Sequence, residues 1–128
     1  MRRNYLKSGI LFIGCLILLF SCQKQTINPP GIELISPHQF HNIASGEVFL
    51  VDVNIWDEQE VDSYVITLTS ASGFEYFQDE KNIHLPFYHI SYEFDMSTTK
   101  EQDFNITIQV EDNDGNISKR SIGVTIDN

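Results

Sequence analysis

A chain of 128 residues is one domain by length, and its 18 acidic against 8 basic side chains give a formal charge of −10. Such a balance repels phosphate backbones and anionic lipid headgroups, which excludes nucleic acid as a partner and disfavours adsorption to acidic membranes. The two cysteines, Cys15 and Cys22, fall within or just after an apolar N-terminal run, leaving no thiol for a structural disulfide in the domain that follows.

The first 21 residues read in three zones. Arg2, Arg3 and Lys7 make a basic start, Ile10 to Phe20 is apolar, and Ser21 precedes Cys22. That is the order of a secretory signal peptide. Eleven apolar residues at about 1.5 Å each span roughly 16 Å, short of the ~30 Å hydrocarbon core, so a permanent transmembrane helix is not expected. Leu19-Phe20-Ser21-Cys22 resembles the lipobox of bacterial lipoproteins, with Phe20 a departure at its most permissive position. The resemblance implies cleavage after Ser21 and lipidation of Cys22, and two or more acyl chains suffice for stable anchoring. The cleaved chain keeps five basic and all eighteen acidic residues, a formal charge of −13. Residues 22–31 form a polar tether ending in the stiff Pro29-Pro30-Gly31 joint. Gln23-Lys24-Gln25-Thr26 lacks the acidic run that marks surface export in some Bacteroidota lipoproteins. The expected location is therefore the periplasmic face of an outer membrane, with surface display as the alternative.

From residue 32 to 128 the apolar pattern has period two, and helix is nearly absent. Ile32 to Ser36 is a short strand closed by Pro37. Glu47 to Trp56 puts Phe49, Val51, Val53 and Ile55 on one face, with Asp52 and Asn54 opposite. Val61 to Thr69 aligns Tyr64, Ile66 and Leu68, and Phe74 to Phe77 reads as a short edge strand. Pro86 to Phe94 groups Tyr88, Ile90, Tyr92 and Phe94 opposite Phe87, His89, Ser91 and Glu93. Phe104 to Val110 alternates cleanly, Asn113-Asp114-Gly115-Asn116 supplies a tight turn, and Ser118 to Asp127 buries Ile122, Val124 and Ile126. Six or seven short strands over about a hundred residues argue an antiparallel immunoglobulin-like β-sandwich, the last two strands forming a hairpin.

Val110-Glu111-Asp112-Asn113-Asp114-Gly115-Asn116-Ile117-Ser118 resembles the penultimate turn of bacterial Ig-like and cadherin-like domains, and Ile55-Trp56-Asp57-Glu58 before Val61 recurs in the same group. With the lipobox, the chain is similar to small uncharacterised Ig-like lipoproteins of Bacteroidota. The resemblance implies an adhesion, binding or spacer module and carries over no catalytic residue.

In such a sandwich the turn after Trp56 and the turn at Asn113 share one end, bringing Asp57, Glu58, Glu60 and Asp62 toward Asp112 and Asp114. Calcium takes six to eight oxygen ligands, so Asp57, Glu58, Asp112 and Asp114 are the candidate metal ligands. With Gly115 at the sixth position of an EF-hand-type loop, Val110 and Ser121 occupy the key carboxylate positions, so it is not that loop. The competing reading is a solvated turn whose Asp and Asn side chains cap their own backbone. Of the histidines, His38 and His41 have His-x-x-His spacing, but His84 and His89 are expected elsewhere, and convergence on zinc is not. The aromatics Trp56, Tyr76, Phe77, Phe87 and Tyr88 include several that the alternation does not place in the core. Trp56, Tyr76 and Phe77 are the candidates for a glycan or protein ligand patch, while Tyr64, Tyr88, Tyr92 and Phe94 are expected to fill the sandwich. The sequence contains no Gly-x-Ser-x-Gly, P-loop or His-Glu-x-x-His, which argues against an enzyme. A non-enzymatic, membrane-tethered binding or accessory module is the leading expectation, without a cofactor; a calcium-dependent cadherin-like adhesive domain is the alternative.

Overall fold

The computed structural model describes residues 28–37, 41–44, 46–97 and 102–127. The leader, Cys22 and His38 lie outside the described residues. Six strands follow in order: β1 Gly31–Ser36, β2 His41–Ala44, β3 Val48–Ser70, β4 Glu75–Asp95, β5 Asp103–Asp112 and β6 Ile117–Asp127. Among the described residues there is no helix, hence none long and apolar enough to cross a membrane.

β3 and β4 are long because each serves both layers of the sandwich. Before the register breaks that follow Trp56, β3 pairs antiparallel with β1 and with residues 87–95 of β4. After them it pairs with β5 and with residues 75–85 of β4. The expected strands at Glu47 to Trp56 and Val61 to Thr69 are thus the two halves of β3, joined through a corner at residues 57–60. β5 and β6 form the expected antiparallel hairpin, and β2 joins the far edge of β6 in parallel. One layer is β1, the first half of β3 and the second half of β4. The other runs from the first half of β4 through β3, β5 and β6 to β2.

Period-two alternation makes the two layers close on each other. Val51, Val53 and Ile55 from the first face Ile66, Leu68, Ile106, Ile108 and Val110 from the second within one buried cluster. Each such side chain contributes roughly 1.5–3 kcal/mol when fully buried. Two features differ from expectation. The edge strand expected at 74–77 continues to Leu85: Asp79 and Lys81 fall on the same side of the strand as Phe77 and Ile83 and break the apolar pattern there without ending the pairing. β2 was not expected, since Ile43 is the one large apolar side chain its four residues bury.

Candidate functional site

The corner of β3 and the β5–β6 turn do share one pole, where the Asn113 amide donates to the Glu60 carbonyl at 3.4 Å. A polar cleft of about 490 Å³ opens there, lined by Asp57, Glu58, Gln59, Asp112, Asp114 and Asn116. Its two best-held carboxylates serve their own turns. Asp57 Oδ1 accepts from the amides of Gln59 at 2.9 Å and Glu60 at 3.3 Å. Asp112, 5% exposed, accepts from the amides of Asp114 (2.9 Å) and Asn116 (2.8 Å) through Oδ1 and from Asn116 Nδ2 (2.8 Å) through Oδ2. Burial alone would raise the Asp112 pKa. Hydrogen bonds from Asn116, and from the backbones of Asp114 and Gly115, outweigh it and hold the carboxyl below its ordinary value. Gly115, at φ +80°, takes the left-handed position of the turn. Among the described residues no three His, Cys, Asp or Glu side chains are arranged to hold a metal ion.

The described histidines sit at separate positions. His41 is in β2, in register with Val124. His84, at φ +54°, places Nδ1 3.1 Å from both Glu60 Oε1 and Asp62 Oδ1, pinning the bend of β4 to the corner of β3. His89 lies on the outer face of the first layer.

Where the two halves of β4 part, three tyrosines line the open side of the sandwich. Tyr64 Oη donates to Asp79 Oδ2 at 3.2 Å and lies 3.0 Å from Tyr92 Oη, which also donates to Asp79 Oδ2. Burial, followed by the Tyr92 contact, pushes the Tyr64 pKa up. Burial and the bond to Asp79 do the same for Tyr92. Lys81 Nζ donates to Tyr88 Oη at 2.8 Å and is raised by that bond. These groups satisfy one another; Tyr88 and Tyr92 sit partly exposed at the rim, while Tyr64 and Phe94 are buried.

The three candidate aromatics do not converge. Phe77 turns inward against Tyr92 and Phe94, at centroid distances of 5.1 Å. Tyr76 packs edge-on between Phe74 and Phe104 at the pole opposite Trp56. Residues 61 to 68 of β3 separate the two places, about 23 Å at strand rise. Trp56 stands in a cross-strand row with Gly31 of β1 and Phe87 of β4. A Cβ on Gly31 would collide with the indole, 2.6 Å from Nε1, so the ring occupies the space that glycine leaves open. Trp56 remains 42% and Phe87 54% exposed.

The next row on this face is a chain of polar contacts. Asn54 Nδ2 donates to Glu33 Oε2 at 3.2 Å, which turns the amide oxygen toward His89, and His89 Nδ1–H donates to it at 2.9 Å. His89 Nε2 stands 3.0 Å from Asp52 Oδ1 but out of line for a hydrogen bond, leaving that buried oxygen without a donor. Sequence alternation had set Asp52, Asn54 and His89 on outward faces. It could not show that pairing would align them beside Trp56. Gly31→Ala is expected to displace the indole and shift the emission of this single tryptophan to the red with far-UV circular dichroism unchanged. Unaltered emission would show that the indole does not rest on Gly31.

No family model matches the chain, and no curated protein matches it. Among solved structures it is similar to the fibronectin(III)-like modules of CbhA from Clostridium thermocellum, at 16% identity and TM-score 0.51, over 78% of this chain and 47% of that one. OgpA from Akkermansia muciniphila matches at 14% identity and TM-score 0.52, over 77% and 28%. A superoxide reductase (neelaredoxin) from Ignicoccus hospitalis matches at 9% and 0.53, over 78% and 81%. The chain thus spans less than half of the first and under a third of the second. At these identities the likeness concerns the fold alone: an all-β, immunoglobulin-like sandwich.

Proposed function

We propose that this chain is a lipid-anchored, non-enzymatic binding or accessory module of the bacterial cell envelope, of the kind found in small Ig-like lipoproteins of Bacteroidota. Acyl chains on Cys22 would hold it at the periplasmic face of the outer membrane. The observation that carries the binding role is the outer face of the first layer, where Trp56 is seated on Gly31 and stays exposed beside Phe87. The end at which the chain enters the domain suits a tether. Ser118 Oγ donates to the Pro30 carbonyl at 2.6 Å, fixing the entry point at the loop pole. Eight residues from Cys22 to Pro30 reach at most about 28 Å when extended. A calcium-dependent adhesive module is the weaker reading, because Asp57 Oδ1 and both Asp112 carboxylate oxygens already accept hydrogen bonds from their own turns.

Metabolic labelling with a fatty-acid analogue tests the anchor. The expected outcome is a labelled membrane-bound protein, with globomycin accumulating the precursor and Cys22→Ser abolishing the label. A label that survives Cys22→Ser overturns lipidation at this residue.

A further inference from the structure

We infer that the outer face of the first layer is a binding platform for neutral glycans, with Trp56 as the stacking surface and Glu33, Asn54 and His89 as hydroxyl partners. The inference rests on the binding-module reading and names the ligand class of that surface. Sugar rings have an apolar C–H face and a rim of hydroxyls, so they need a rigid aromatic plane beside groups that both donate and accept. Trp56 meets the first need. Its indole lies where Gly31 has no side chain, so the ring is held before any ligand arrives and loses little freedom on binding.

The second need is met one strand repeat away, about 7 Å along β3. There Glu33, Asn54 and His89 are already oriented by one another, through the 3.2 Å and 2.9 Å contacts across three strands. The His89 side chain is 46% exposed and Glu33 is exposed, so both can meet a sugar stacked on the neighbouring row. Asp52, Glu93 and Asp95 add negative charge to this face, which selects neutral over acidic sugars. A flat apolar protein partner fits less well, because covering Trp56 and Phe87 would also strip water from the Glu33–Asn54–His89 chain without replacing its hydrogen bonds.

The anchored protein, extracted in detergent, should be titrated with neutral hexasaccharides of glucose, xylose and mannose while the emission of its one tryptophan is followed. At least one sugar is expected to shift that emission with half-saturation below millimolar. Trp56→Phe should weaken binding, read by calorimetry, a few fold, Trp56→Ala at least tenfold, and Asn54→Ala about fivefold, all with wild-type far-UV spectra. Absence of a response to every sugar, or undiminished binding by Trp56→Ala, overturns the inference. So does concentration-dependent self-association that Trp56→Ala abolishes, which would make the face a contact between copies. Acyl labelling of Cys22 reads the anchor independently, so loss of one result leaves the other standing.

Discussion

Asp112→Ala is expected to destabilise the domain by about 2–3 kcal/mol, lowering Tm by roughly 10–20 °C. Hydrogen bonds to a charged acceptor contribute about 1.5–3 kcal/mol each, and the exposed turn lets water replace part of what is lost. Three donors converge on this carboxylate at 2.8–2.9 Å, and it closes the turn that joins β5 to β6. The contribution has a definite pH dependence. Because the folded-state pKa lies below its ordinary value, the stabilisation is fully present above the unfolded carboxyl pKa of about 4 and is lost as pH falls through the lowered folded value. Thermal melts of wild type and Asp112→Asn between pH 7 and pH 2 should therefore converge toward the acid end. A constant gap between the two curves would show that the charge on Asp112 contributes nothing.

Ile108→Ala should cost more, about 3–4 kcal/mol, with a correspondingly larger fall in denaturation midpoint. Ile108 is fully buried, pairs with Ile66 across β3 and β5, and lies at the centre of the layer that closes on Val51, Val53 and Ile55. Removing its outer carbons forfeits transfer energy and leaves a cavity that two hydrogen-bonded sheets cannot collapse to fill. Urea melts would check it, with the exposed Glu93→Ala as a control expected within about 0.5 kcal/mol of wild type. A loss below about 1 kcal/mol for Ile108→Ala would mean that the two layers are not packed tightly at this point.

The proposed glycan platform lies at the end where the chain enters the domain, from which the proposed tether would run. Gly31, which seats Trp56, directly follows Pro30, which Ser118 holds. A ligand bound to Trp56 would thus be presented close to the point from which the chain runs to Cys22. The acidic loop pole beside it, with Asp57, Glu58 and Asp114, would repel an anionic surface at that end.

The sequence by itself determined the fold class and nearly the whole core, because in a sandwich each strand buries every second residue and that periodicity survives without any partner. Phe49, Val51, Val53 and Ile55, then Phe104, Ile106, Ile108 and Val110, are buried as their alternation required. It also indicated that the turns at Asp57 and Asp112 would share a pole, since in an immunoglobulin-like sandwich those two loops emerge at one end. Tertiary structure decided what pairing and local hydrogen bonding control. It turned the Asp57 and Asp112 carboxylates onto their own turns, continued β4 through the charged Asp79 and Lys81, and set β2 beside β6. It also separated Trp56 from Tyr76 and turned Phe77 inward. Register has no one-dimensional signature at this level. That Gly31, Trp56 and Phe87 share a row, with Glu33, Asn54 and His89 in the next, follows from which strands lie side by side.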